Sequence, residues 1–313
     1  MSEKFGRHYN LKITTQYGIQ IQVTDPFTVD FSIRKQILPD LSSNSCSLRI
    51  HNLSKNTRNL IFKDFHSLNT YLGIEFRAGY SELGLLMKCN ASTAYSERAE
   101  GSTEVITEIK GFDGGYAKNN SRSSYTVAAG ATKREVILKT LNDLKANPNA
   151  KMEIAAVSPE FKGIHTRGVS VGPKSTVEIL QTQTGNKFFI NDEKAYCMKD
   201  DEALDGTILE ISSATGLLGS PRSYEFIVWA EILFEPMIQL NQVVQLKSIV
   251  NPGYNGKYVV KSIIHSGTIS GAVGGKCKTL VMLQEQPSPK IIAPDPSLNA
   301  IAFNTRLNEG ILG

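Results

Sequence analysis

Apolar and polar residues alternate one for one through much of the first hundred residues, and no other feature restricts the fold as strongly. LKITTQ places Leu11, Ile13 and Thr15 on one side of an extended chain and Lys12, Thr14 and Gln16 on the other. After a Tyr-Gly turn, IQIQVT repeats the pattern with Ile19, Ile21 and Val23, and TVDFSI continues it with Val29, Phe31 and Ile33. A side-chain period of two belongs to half-buried strands, and the short polar breaks between the runs suit antiparallel turns. SLRIHNL, YLGIEFRAGY, GLLMKCNAS and STEVITEIKGF extend the series. One helix, over Asn56–Phe65 with Ser54 as its cap, interrupts seven or eight strands, which predicts a β-barrel or sandwich.

The pattern changes after FDGGYAKNNSRSS, a Gly/Asn/Ser stretch read as a boundary. Thr132 and Glu135 form a capping box, and Val136, Leu138, Leu141 and Leu144 behind it lie near one helical face. A second start at Gly172-Pro173-Lys174-Ser175, with Glu178, opens a helix TVEILQTQT that Gly185 terminates. KFFIN and KAYCM flank Asp192-Glu193 as a tight hairpin. From Gly206 onward strands return as TILEIS, YEFIVWAEIL, QVVQLKS, KYVVKSII and KTLVMLQ, with Pro252-Gly253-Tyr254-Asn255-Gly256 a turn. Beyond Gln286, four prolines (Pro287, Pro289, Pro294, Pro296) predict an extended arm that sustains no sheet.

The expected fold class is mainly β with a small α+β insert. Residues 1–118 form a first antiparallel β-barrel domain, 119–205 the insert, 206–286 a second barrel and 287–313 the arm. A length of 313 residues suits two or three such units, and 41% hydrophobic against 20% charged residues suffices for real cores. The net charge of +4 is not gathered into runs, so composition gives little support for nucleic-acid binding. Cys46, Cys89, Cys197 and Cys277 lie far apart, without zinc-finger or disulfide-framework spacing, which fits folding in a reducing cytoplasm. The N-terminus carries no apolar h-region and no run approaches the roughly 20 apolar residues of a membrane span, so no membrane-spanning segment is expected.

Catalytic chemistry has one local candidate, HSGTISGAVGGKCKT from His265 to Thr279. A phosphate loop needs a first glycine, a Gly-Lys pair and then a hydroxyl residue leading into a helix. Here Ser270 stands in the first position, Cys277 follows Gly275-Lys276, and a strand comes next, so a glycine-rich turn is the better reading. His265 and Cys277 as base and nucleophile lack a third group to orient the histidine. His8, His51, His66 and His165 have no partner at metal-ligand spacing. Lys199-Asp200-Asp201-Glu202 lacks the alternation of a calcium loop and reads as a solvated turn. Trp229, the only tryptophan, offers little for sugar stacking. No catalytic, cofactor or metal residue is assigned.

The stretches TVDFSIRK, SCSLRIHNLSKNTRNLIFKD, RAGY and TEIKGFDGG resemble the N-terminal region of baseplate hub proteins of contractile-tailed bacteriophages. ISSATGLLGSPR, ILFEPMIQLNQVVQLKS, NPGYNGKYVVKSIIHSGTISG and TLVML are similar to the second half of that family, and VGPKSTVEILQTQTGNKFFINDEKAYCM to its small domain. The resemblance runs in order from about residue 8 to 285. It implies two tail-tube-like barrels with an insert between them, and a homotrimer presenting six barrels, which joins a sixfold tube to a threefold spike. The partners it implies are the tail tube or a tube-initiator protein, a central spike protein and other baseplate proteins. Phage DNA would pass through the lumen without specific binding. The implied location is the tail baseplate of the virion, after synthesis in the host bacterial cytoplasm. Two other classes stay open here: a tail-associated cell-wall hydrolase acting through carboxylates, and a receptor-binding tail protein. The apolar residues Ile291, Ile292, Ile301, Phe303, Ile311 and Leu312 suggest that the arm orders against a neighbouring subunit or baseplate component.

Overall fold

The computed structural model describes residues 6–37, 44–64, 71–98, 100–147, 151–271 and 275–300. The chain begins with β1 (His8–Thr14), β2 (Gln20–Thr24), β3 (Val29–Gln36) and β4 (Ser45–His51), followed by helix α1 (Lys55–Ile61). Strands β5 (Leu72–Gly79), β6 (Leu83–Arg98) and β7 (Val105–Phe112) complete the first β region. The alternation works as expected: Leu11 and Ile13 of β1, and Val29, Phe31 and Ile33 of β3, all enter one core. In α1, the Ser54 hydroxyl accepts the Thr57 N–H at 3.1 Å. The helix stops at Ile61, short of the expected Phe65, because Lys63 leaves it to exchange backbone hydrogen bonds with Ala94 of β6 at 2.8 and 3.0 Å.

The insert comprises α2 (Gly115–Asn120), β8 (Arg122–Val127), α3 (Lys133–Ala146), β9 (Glu153–Val157), β10 (Val169–Ser175), α4 (Thr176–Thr184), β11 (Phe188–Asn191) and β12 (Lys194–Cys197). Both halves of the Thr132–Glu135 capping box are present at the start of α3. Gly185 closes α4 in the left-handed region with φ 68°, where an L side chain would be strained. The helices pack Ile137, Leu141, Leu144 and Leu180 against Ile154, Phe188 and Ile190 of the three-stranded β11-β12-β9 sheet.

The last region holds β13 (Glu202–Ser212), β14 (Leu217–Tyr224), β15 (Ile227–Leu233), β16 (Gln242–Lys247), β17 (Gly256–Ile269), β18 (Cys277–Glu285), β19 (Lys290–Ile292) and α5 (Ser297–Ala300). The apolar run YEFIVWAEIL is split by a turn with Glu225 at φ 54°, so Tyr224 ends one strand and Ile227 begins the next. The arm also departs from expectation. Lys290–Ile292 pairs in parallel with Glu202–Leu204, since the flanking Pro289 and Pro294 leave four N–H-bearing residues between them, enough for a short strand. Further on, Leu298 enters the insert core, and the Asn299 side chain bonds both the N–H and the C=O of Ile154 at 2.9 Å. Ile301, Phe303, Ile311 and Leu312 lie outside the described residues.

The class is mainly β, as the sequence indicates, but the strands do not close into barrels. One open ladder runs β14-β15-β18-β17-β3-β4-β7-β6-β5-β1-β2, with β16, β13 and β19 branching from β17. Closure of the first set would need β3 to bond β2. That edge of β3 is instead taken by β17, from Ser262↔Gln36 to Ile269↔Val29. Near its start, at Gly256–Val259, the same β17 pairs with β16. The halves also interlock through side chains. Phe234, just past β15 and 0% exposed, lies in the first core against Phe31 and Tyr80 at centroid distances of 5.8 and 6.1 Å. Gly84 faces the following segment so closely that a Cβ there would stand 2.5 Å from the Pro236 carbonyl oxygen.

Candidate functional site

The glycine-rich stretch is mostly strand. β17 continues through His265 to Ile269 and β18 starts at Cys277; of the residues between these strands, Ala272, Val273 and Gly274 fall outside the described residues. Gly267 lies within β17 at φ 156°, and a Cβ there would come 2.4 Å from the Lys276 carbonyl oxygen and 2.6 Å from Cys277 Cα. The glycine is needed for this cross-strand approach. His265 and Cys277 do not form a catalytic pair. His265 is buried, its Nδ1 lies 2.9 Å from Thr279 Oγ1, and Phe234 meets its ring edge-on at 5.9 Å. Burial, with Lys35 nearby, pushes its pKa down to about 3, so the ring is neutral. The Cys277 thiol donates to the Thr268 carbonyl at 3.2 Å, and burial raises its pKa.

Other sequence candidates are dispersed. His8 Nδ1 sits 2.9 Å from Asp25 at the surface. Of His165, Nε2 is buried without a hydrogen-bond partner, and His66 lies outside the described residues. His51 bridges two carboxylates, Glu104 at 2.8 Å from Nδ1 and Asp30 at 3.0 Å from Nε2, while the Thr268 hydroxyl donates to Asp30 at 2.6 Å. Desolvation opposes protonation, but the two carboxylates outweigh it and raise the His51 pKa. The 199–202 segment is only in part a solvated turn. Asp200 and Asp201 pair with Lys187 and Lys290 at 2.6 and 3.1 Å. Glu202 is fully buried, accepting from Ser158 Oγ at 2.6 Å and from the Lys199 N–H at 2.7 Å. Trp229 is half-buried within β15. Among the described residues, no group of three or more His, Cys, Asp or Glu side chains is arranged to hold a metal ion. No helix among them is long and apolar enough to cross a membrane.

A largely buried polar cluster joins the insert to the first sheet. The inward face of β3 ends in Lys35 where another apolar residue is expected, and its ammonium meets Asp192 at 2.6 Å. Asp192 and Glu193 form the β11–β12 turn, both left-handed at φ 55° and 59°. Their N–H groups donate to the fully buried Asp113 carboxylate at 2.5 and 2.9 Å. Lys88 pairs with Glu193 at 2.9 Å, and Asn44 bonds the Ile190 carbonyl at 2.9 Å. Burial and the neighbouring Asp192 raise the Asp113 pKa to about 7. Gly114 permits the hairpin's approach, since a Cβ would stand 2.8 Å from Ile190 Cδ1. Sequence reasoning missed this cluster, although an acidic pair in a two-residue turn without glycine was a usable signal. Such an array anchors the insert hairpin on the first sheet.

Two surface features remain. Among the described residues, the outer strands of the ladder, β2 and β14, each pair on one side only. Beside the β14–β15 turn, Tyr224 and Phe226 project into solvent, Phe226 with 86% of its surface exposed. Phe226 and Ile227 line a cleft of about 320 Å³ opposite Phe189 of the insert hairpin.

A family model described as Baseplate hub gp41 matches residues 10–266. Among solved structures, the 43 kDa tail protein of prophage MuSo2 from Shewanella oneidensis superposes with a TM-score of 0.57 at 8% identity, covering 89% of this chain and 97% of that one. The tail protein from Neisseria meningitidis MC58 gives a TM-score of 0.53 at 10% identity, over 91% of this chain and 98% of that one. At these identities the likeness is one of fold. No curated protein matches the sequence.

Proposed function

Because the chain belongs to the baseplate hub gp41 family, we propose that it is the trimeric hub of a contractile phage tail, joining the tail tube to the central spike. It is a phage tail component; the ring, the spike and the passage of DNA are the finer reading. The observation that carries it is the open ladder, whose two β cores are fused through β3 and β17 and end in bare strands at β2 and β14. Bare edges are a liability in a free chain, and pairing or covering by neighbouring copies removes it. Three copies, each with two β cores, present six similar units to a sixfold tube while keeping threefold symmetry for a spike.

The functional division is 1–118 and 206–286 as tube-like units, 119–205 as the insert between them and 287–313 as an arm. The protein works without a catalytic, cofactor or metal site, assembled in the virion baseplate after synthesis in the host cytoplasm. Support comes from the neutral, core-packed His265, the protonated Cys277 thiol and the inward-facing acids Asp113 and Glu202.

Native mass measurement on the purified chain, together with reconstruction of tail particles, tests the reading. A trimer of about 103 kDa, three times 34.4 kDa, located between tube and spike is the expected result. A stable monomer that never enters particles would overturn it. Peptidoglycan degradation lost on substitution of a single acidic residue would overturn the non-enzymatic part alone.

A further inference from the structure

The cleft beside Phe226 lies between the insert hairpin and residues of β15, β17 and β18, namely Ile227, Lys261 and Gln284. At about 320 Å³ it is at the small end of ligand-sized clefts (~300–1,000 Å³), room for a few side chains. Three lysines line it, and two already have partners. Lys187 pairs with Asp200 at 2.6 Å, and the Lys199 ammonium lies over the Phe161 ring at 4.8 Å. Lys261 differs. It is 9% exposed, and its hydrogen bond goes to a neutral amide oxygen, Asn241 Oδ1, at 3.2 Å.

An ammonium carries three donors, so this bond leaves two of them on Lys261 for an acceptor in the cleft. Burying a cation without an anion is costly, and burial lowers the Lys261 pKa, with Lys187 adding to the effect and Asp200 opposing it. A carboxylate entering the cleft would supply both the counter-charge and the acceptor. Beside this buried charge lie apolar walls: Phe189, stacked on Tyr196 at 4.8 Å, and the protruding Phe226. Glu225 and Asp200, also on the lining, oppose the approach of an anion, so a diffuse polyanion is disfavoured against one carboxylate delivered to one point. A protein segment provides such a carboxylate with apolar neighbours.

We propose that this cleft docks an extended acidic segment of another tail protein, which sets one Asp or Glu carboxylate on Lys261 and an adjacent apolar side chain against Phe226. The tail origin of the partner rests on the hub reading; the chemistry of the cleft does not. Alternation along an extended segment sends successive side chains to opposite walls, which suits a cleft charged at its base and aromatic at its rim.

The test uses the full-length protein and a fluorescein-labelled hexapeptide of alternating Glu and Leu, followed by fluorescence anisotropy at low salt. A matching Gln/Leu peptide is the control. Saturable binding is expected, weakened at least tenfold by K261M, by F226A and by the Gln-for-Glu exchange. F226A replaces an exposed ring, so it keeps the test decisive if K261M fails to fold. Absence of saturable binding up to millimolar peptide would overturn the proposal. So would equal affinity for the Gln peptide or for K261M, and so would a concentration-dependent self-association that F226A alone abolishes. The mass of the same samples separates the two readings: a trimer without peptide binding removes only the docking site, and a monomer removes the hub.

Discussion

Phe234 is where the two β regions are locked together, and its truncation to alanine should cost more than any surface change. The ring is 0% exposed and contacts Phe31, Tyr80 and His265 at centroid distances of 5.8, 6.1 and 5.9 Å. Removing a buried phenyl group costs about 3–5 kcal/mol, the larger values applying where the cavity cannot collapse. Collapse is blocked here, because Gly84 of β6 is already in close contact with the Pro236 backbone two residues beyond Phe234. The upper half of that range is therefore expected for Phe234→Ala. Urea unfolding would be followed both by the fluorescence of Trp229, in β15, and by circular dichroism of the whole chain. With a slope of about 3 kcal/mol/M, the midpoint should fall by about 1 M or more in both signals. Phe226→Ala, at an exposed ring, should stay within about 0.5 kcal/mol of the parent. A shift below about 1 kcal/mol for Phe234→Ala, or a Trp229 transition that does not move, would show that this ring does not couple the two regions.

Lys35→Met should destabilise by about 3–5 kcal/mol, because it leaves the mostly buried Asp192 carboxylate beside Asp113 without its cation; limited proteolysis should then cut the insert first, and parental resistance would refute this. The raised pKa of His51 gives stability that is fully present below the ordinary value of 6.5 and is lost as pH rises through the raised one. His51→Gln should therefore flatten the fall of Tm as pH rises above 6.5, and an unchanged profile would assign that fall to other groups. Gly267→Ala should cost about 1–3 kcal/mol by driving β17 off β18, measured as a drop in Tm. Asn299→Ala removes the two bonds to Ile154 and should speed amide exchange in β19 and α5 while leaving β17 protected.

Local chemistry made much of the fold legible. The alternation around Leu11, Val29 and Phe31 pointed to the right faces, and Thr132, Glu135 and Gly185 marked helix ends, because these signals act over a few residues. Tyr224-Glu225-Phe226 escaped notice because Glu225 adopts a left-handed turn without glycine or asparagine. The continuity of the sheet was illegible for a different reason. Pairing of β3 with β17 links positions 227 residues apart, as in the Ser262 hydroxyl bond to the Lys35 carbonyl, and no local pattern encodes it. Glu202 read as part of a solvated turn, and nothing local marked Lys35, Asp113 or Asp192 as buried, because burial of a charge depends on a partner elsewhere in the chain. His265 and Cys277 looked chemically interesting for the same reason, their burial being set by Phe234 and by strands distant in sequence.

The pairing of β3 with β17 also has a consequence in time. A ribosome adding ~5–20 residues per second needs roughly 11–45 s to travel from β3 to its partner strand, given the 227-residue separation. During that interval one edge of β3 has no strand to bond, while β4 on its other side is already made. The first β region is thus held incomplete until almost the whole chain has emerged. Contacts this distant in sequence slow folding, and a strand edge left unpaired meanwhile is open to aggregation. Arg34 and Lys35, charged residues at the end of β3, stand on that strand throughout the wait, where charge discourages strand addition.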